Sequence, residues 1–379
     1  MRSGKPRRTA AVRPEPRGSG RFLFDVWKGE GRRGAGGGGS GSAAGYGPVA
    51  GDHYGAGDPL GGGGSGWTRP GDGGLVGALL WGAAARPAVP LFFLCSGALM
   101  LCRDISPRRL LTHNLPRIVC AMLVWAFLYR LVRLAGEGIT PAGLWDGVKR
   151  TLLLQHESHF YYLHILLLVY AFVPVVRVFV RNASRRDLEY LLAVWFVTGI
   201  LFPLLRHFWP FQLVTQINTW YRMNMAYSSI GFAALGHYVR QYGGTIPLGW
   251  YRISLAAGLG ITFGGCAVLS LRDGALNELF LEGMSPGPAL MAFGLFGLIL
   301  FGRELPDWAA RPVARLAQAS FCIYLCHILF QRWFLRLGLS GGASPCVLAV
   351  PGMAVLLAVC GWLAWEALRR VPVVKSYLI

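Results

Sequence analysis

The chain has 379 residues, of which 54% are hydrophobic and only 15% charged, with a formal net charge of +19. Its mean hydropathy is +0.43. A soluble protein of this length has no single core able to hide so many long apolar runs. Much of the arginine lies between those runs and a further share at the N-terminal end, so the charge is read as membrane topology and not as nucleic-acid binding.

In chain order, residues 1–74 come first and differ from everything after them. They carry glycine runs at 34–42 and 61–66 behind an Arg- and Pro-rich start. Such a stretch buries too little apolar surface to offset chain entropy, so a disordered tail is predicted. No continuous apolar region follows the basic start, as a signal peptide would require. Residues 75–379 are read as one membrane domain. Nine crossings are predicted, at residues 88–102, 115–134, 160–180, 188–208, 222–239, 248–271, 288–301, 317–335 and 346–368. A helix needs ~20 residues to cross a ~30 Å hydrocarbon core, so the seventh of these is short. The fold class is therefore all-α, a polytopic integral membrane helical bundle.

Alternate loops hold most of the basic residues: Arg103 to Arg117, Arg181 to Arg186, Arg240, Arg303 to Arg315 and Arg369 to Lys375. The opposite loops hold Glu137, Asp146, Glu157, Asp273, Glu278 and Glu282. The first set is predicted to be cytoplasmic, which puts the C-terminus inside. Nine crossings then leave the basic N-terminal tail outside. A tenth crossing would remove that conflict, but residues 75–85 are too short to span alone.

Several polar residues stand out inside the apolar runs. Ser320, Tyr324, His327 and Gln331 fall on one stripe of a helix. Polar groups face lipid only at a cost, so the stripe is predicted to point into the bundle, as an interhelical seam or as the wall of a substrate channel. His159 stands beside Tyr161 and Tyr162 at a span end. An imidazole there can take a proton from a hydroxyl, and an aromatic belt at the membrane boundary accounts for it equally. Arg108, Arg109 and Arg117 suit phosphate groups, although positive-inside topology also explains them. Ser96-Gly97 allows close helix approach, and Asn224–Ser228–Gly231 forms a second small-residue seam. Cys322 and Cys326 share a helix face but lack further ligands for a metal. His164, His207 and His237 are read as locally hydrogen-bonded and His113 as solvated.

Arg86-Pro-Ala-Val-Pro-Leu-Phe-Phe-Leu-Cys-Ser-Gly-Ala-Leu99 resembles a signature of the membrane-bound acyltransferase-3 family, integral-membrane acyltransferases many of which modify surface polysaccharides. Three further blocks follow in the family's order: Thr112–Tyr129 with Pro116-Arg117-Ile118, His159-Phe-Tyr-Tyr-Leu-His164 running on to Pro174, and Ser320-Phe-Cys-Ile-Tyr-Leu-Cys-His327. The resemblance implies ten crossings, the first with an intramembrane His as catalytic base. Here only Arg21-Phe-Leu-Phe-Asp25 resembles that start. His53 lies in glycine-rich sequence, and the family's paired arginines read Asn114-Leu-Pro-Arg117. A frame-shifted first helix, a degenerate paralogue and a genuine soluble tail all fit.

What the resemblance implies is transfer of an acyl group, acetyl by default, from cytoplasmic acyl-CoA to a hydroxyl of an extracytoplasmic glycan or similar acceptor. The membrane would be the cytoplasmic membrane of a bacterium, with no bound cofactor and no nucleic-acid partner. The donor would dock near Arg109 and Arg117. The acyl group would pass Ser96, Tyr324 and His327, with Arg86, Tyr162, Ser320 and Gln331 along the path, to an acceptor near His159. Because the helix that carries the family's base is missing, little activity is expected of this chain. A catalytically dead relative and a polytopic transporter are the alternatives.

Overall fold

The computed structural model describes residues 73–155, 157–213, 225–303, 305–339, 346–372, 374 and 378. The segment read as a tail up to residue 72, with His53, lies outside the described residues, as do Asn224 and Lys375. Every described regular element is helical. This follows from the apolar runs, because in hydrocarbon a helix satisfies all its backbone groups within the segment.

Among the described residues, eleven helices carry the fold. They are α1 Gly73–Ala85, α2 Ala88–Met100, α3 Pro107–Glu137, α4 Pro141–Leu152, α5 Tyr161–Asn182 and α6 Arg185–Leu205, then α7 Met225–Tyr242, α8 Leu248–Asp273, α9 Pro286–Phe301, α10 Asp307–Arg336 and α11 Cys346–Leu368. Among the described residues, eight stretches are long and apolar enough to cross a membrane.

The first of these corrects the sequence reading. It runs Val76–Met100, joining α1 and α2 into one crossing, where residues 88–102 were predicted and 75–85 were set aside as too short. Pro87 has φ −67° and ψ −8°, so the chain stays helical through the Arg86-Pro87 junction, and a proline at a helix start loses no hydrogen bond. The short seventh span becomes Leu279–Phe301 and the eighth becomes Trp308–Arg336, each longer than predicted. The seventh gains the 3₁₀ turn Leu279–Leu281 ahead of α9, and in the eighth polar residues at the start of α10 interrupt the apolar run while the helix continues. α3 and α6 contain wide, π-helical turns at Leu110–Asn114 and Phe196–Leu201. Each turn lies just before or around the position that Pro116 or Pro203 deprives of an N–H donor.

Over its described residues α7 is more polar than these eight, and it lies inside the bundle. Ser228, Ser229 and His237 are buried on it together with Phe232 and Val239. The surrounding helices shield these polar groups from lipid. The Ser228–Gly231 part of the predicted seam is a packing contact. Ser228 Oγ donates to the Gly199 carbonyl at 2.7 Å, Trp195 Nε1 donates to the Ser228 carbonyl at 3.0 Å, and Gly231 faces the Trp195 ring. α2 crosses α7 with backbones almost touching. A Cβ on Gly97 would collide with the Ala233 backbone, and one on Gly236 would collide with the Leu94 backbone. Small residues permit such an approach where no hydrophobic force drives helices together.

The arginine-rich loops meet at one end of the bundle. Arg177 donates to the Arg103 and Ile105 carbonyls at 2.7 and 2.8 Å, and Arg181 pairs with Asp104. That guanidinium holds the Asp104 carboxyl below the usual carboxylate range. Arg240 donates to the Ala98 carbonyl at 2.6 Å, and Arg185 and Tyr238 share Glu189.

These contacts predict opposite effects for two glycines. Gly97→Ala forces α2 off α7 and should destabilise the bundle by about 1–3 kcal/mol, as overpacking does. Gly264→Ala on α8 meets no atom within 4 Å and should be neutral or stabilise by up to about 1 kcal/mol through helix propensity. Thermal unfolding of the two variants in one detergent measures both. Equal melting points would show that the close crossing is not a constraint.

Candidate active site

The site forms where the chain briefly leaves the helical state. After α4 the backbone turns through Leu154, a non-glycine residue at φ 59°. It re-enters the bundle as a short 3₁₀ turn, Ser158–Phe160, that leads into α5. Three contacts hold this turn. Glu157 receives both guanidinium nitrogens of Arg332 from α10, at 2.7 and 3.2 Å, with Arg133 of α3 3.7 Å away. The Tyr324 hydroxyl donates to the His159 carbonyl. Phe160 is fully buried. Tyr129 completes the frame, its hydroxyl donating to the Leu325 carbonyl at 2.9 Å and so tying α3 to α10. Tyr324 lies about 25 Å along α10 from Asp307 at ~1.5 Å per residue. The site is thus far from the arginine-rich end, with three more turns of α10 beyond it.

Two imidazoles face each other here. The His159 and His327 ring centroids are 5.3 Å apart, with the planes at 75°. The rings of Tyr129, Phe160 and Tyr324 surround His159 at 5.4, 4.4 and 5.8 Å. His327 Nδ1 lies 2.7 Å from the Tyr324 carbonyl oxygen. A carbonyl only accepts, so Nδ1 carries the proton and Nε2 of the neutral ring holds the free lone pair. His159 Nε2 is buried and has no hydrogen-bond partner among the described residues. A buried polar atom without a partner costs about 1–3 kcal/mol, and native structures keep few of them. The pair therefore offers a lone pair on one ring and an unpaired nitrogen on the other, in a place that a hydroxyl or water can complete.

The stripe Ser320–Tyr324–His327–Gln331 faces the bundle as predicted, but its members do different things. Ser320 is buried, and its hydroxyl donates back to the Ala317 carbonyl at 2.8 Å. Tyr324 is spent on the His159 backbone, and Gln331 is half-buried farther out along α10. Tyr162 packs between Phe92, Phe93 and Tyr324, with ring centroids 5.3–5.5 Å apart. Ser96 is buried nearer the arginine-rich end, close to Tyr170, and Arg117 lies near the same tyrosine. Arg109 is exposed at the start of α3. Arg86 sits at the kink of the first crossing, near Tyr161 and Glu278, its Nε buried with no acceptor among the described residues. Burial pushes the Glu278 carboxyl up, and Arg86 opposes that shift.

His159, His327, Tyr324 and Tyr162 are thus brought together, whereas Ser96, Arg117 and Arg109 belong to the other end. Of the residues that frame the pair, Tyr129 closes the Thr112–Tyr129 block, whereas Glu157, Arg332 and Arg133 carried no motif. Only Glu157 had a signal, an acid two residues before His159 on the acid-bearing side.

Residues 56–365 match the model of the acyltransferase-3 family, described as an acyltransferase domain. No curated protein and no solved structure matches the chain. The match covers most of the chain, including both imidazoles and every element that frames them, so this multi-pass, all-helical protein belongs to the acyltransferase-3 family.

Proposed function

We propose that this membrane acyltransferase moves an acyl group, acetyl in the simplest case, from acyl-CoA at the arginine-rich end to a hydroxyl of a glycan-like acceptor at the His159–His327 pair. The observation that carries the reading is the fixed tautomer of His327, whose Nδ1 proton is committed to the Tyr324 carbonyl. Its Nε2 can then take the acceptor's proton as the hydroxyl oxygen bonds to the acyl carbon. The thioester C–S bond breaks, and the proton passes from the imidazolium to the departing CoA thiolate. His159 faces the same space and orients the hydroxyl through its unpaired Nε2. Tyr324 is a positioning residue for both rings, through its carbonyl on His327 and its hydroxyl on the His159 backbone. At the other end, Arg109 and Arg117 suit the phosphates of the donor, and Ser96 lies on the way between. The charge bias assigns the arginine-rich end to the cytoplasm and the imidazole pair to the far side, in keeping with an extracytoplasmic acceptor and a bacterial cytoplasmic membrane.

The expectation of little activity rests on the want of a base from an N-terminal helix, and the imidazole pair is proposed to take that part. A second reading, the same bundle without turnover, is favoured by the glycine-rich sequence that stands where the family carries its His-bearing helix.

Transfer from radiolabelled acetyl-CoA to an oligosaccharide by the purified protein separates the two. His327→Ala should lower kcat by about 10²–10⁴, the range for loss of a general base. Tyr324→Phe, which removes one hydrogen bond worth about 1 kcal/mol, should cost far less, about fivefold. Donor binding with no transfer by the unaltered protein would establish the silent reading instead. Topology is checked separately with a reporter fused after Ile379, which should be active only on the cytoplasmic side. Activity on the other face would reverse the assignment of the two ends.

A further inference from the structure

The end of the bundle that holds the imidazole pair carries more positive charge than its own acids neutralise. Arg130 and Arg133 lie one turn apart on α3, Arg332 on α10 and Arg150 on α4, with Glu157 and Asp146 among them. Asp146 is taken up by Arg150, from Nε to Oδ2 at 2.6 Å. Glu157 is taken up by Arg332, which contributes two nitrogens. What remains is Arg130 and Arg133. Neither donates a hydrogen bond to any described residue, and the nearest acid oxygen to Arg133 is Glu157 Oε1 at 3.7 Å.

Arg133 is not a side chain reaching out to headgroups. It is turned toward Glu157, and its exposure of 35% matches the 34% of the paired Arg332. The cluster is also continuous with the imidazoles. Arg332 lies 5.8 Å over the Tyr129 ring, which stands 5.4 Å from His159. Glu157 is thus shared between Arg332, which it binds closely, and Arg133, which it meets at 3.7 Å, and topology gives no reason to place such half-buried, under-neutralised guanidinium groups here, since the charge bias sends arginine to the other end. A guanidinium offers five donors in a planar fork that matches carboxylate and phosphate oxygens.

From this surplus we infer that the acceptor is anionic: it carries a carboxylate or phosphate beside the hydroxyl that is acylated, and Arg133 with Arg130 binds that group. The inference rests on the acyl-transfer reading for the hydroxyl but not for the binding. The charged group docks on α3, and Glu157 keeps Arg332 from competing for it. The imidazole pair then meets the neighbouring hydroxyl.

The experiment compares a uronic-acid oligosaccharide, a phosphorylated oligosaccharide and the neutral carboxyl-reduced counterpart. Dissociation constants are measured on the full-length protein in nanodiscs of zwitterionic lipid. At least one charged glycan should bind about tenfold or more tighter than the neutral one, and Arg133→Gln should remove most of that preference. Arg133→Lys, which keeps the charge and loses the fork, should restore part of it. Where transfer is observed, the ratio of kcat/KM for charged over neutral acceptor should fall by a similar factor in Arg133→Gln. Equal binding of charged and neutral glycans, or a preference untouched by Arg133→Gln, would overturn the inference. So would an effect of Arg133→Gln confined to retention of anionic lipid in nanodiscs made with it, which would make the cluster a headgroup site. Absence of transfer with the binding preference intact would count against the acyl-transfer reading alone.

Discussion

Buried backbone must find its hydrogen bonds within the protein, and where the chain passes from α4 to α5 it does so with partners on another helix. Its solution uses α10 from two directions. Arg332 holds the carboxylate of Glu157, and the Tyr324 hydroxyl fills the carbonyl of His159. Because the turn is fixed from both sides of the histidine, the ring is presented rather than left to wander. The same tyrosine residue accepts the Nδ1 proton of His327 on its carbonyl. One residue on α10 thus sets the position of one imidazole and the tautomer of the other.

The rest of the bundle allows this by putting its polar cost in the middle. α7 carries buried serines and a buried histidine, and it is wrapped by helices whose apolar faces meet lipid. α2 approaches it through Gly97 and Gly236 with no side chain between the backbones. That close approach carries the first crossing past the centre of the bundle, with Phe92 and Phe93 against Tyr162 and hence near Tyr324. Gly97 and Gly236 bear on the imidazole pair without touching it.

Arginine has three uses in this chain, and its neighbours decide which. At the arginine-rich end, Arg177 binds carbonyls of the loop between α2 and α3 and Arg240 one in the last turn of α2, while Arg181 and Arg185 pair with acids. At the opposite end, Arg332 is consumed by Glu157. Arg130 and Arg133 stand beside it, Arg133 in a longer 3.7 Å ion pair with the same carboxylate and neither donating a hydrogen bond to a described residue. Net charge counts all of these alike, although their neighbours differ.

Periodicity and composition by themselves determined that the chain is a helical membrane bundle, where most of its crossings lie, that the Ser320–Gln331 stripe turns inward, and which loops share an end. These follow from short-range physics: an apolar run of sufficient length must span, and a polar stripe on a spanning helix must avoid lipid. Four blocks of sequence also pointed to the family. The junction at Arg86-Pro87 was misread, because a proline reads as a break until its φ and ψ show the helix running through it. Tertiary structure alone decided that His159 meets His327 across 168 positions of sequence, that Tyr324 serves as a brace, and that Glu157, Arg332, Arg133 and Tyr129 frame the pair. No local pattern encodes these contacts. Each depends on how deeply one helix is set against another, and that is settled by side chains meeting across the bundle.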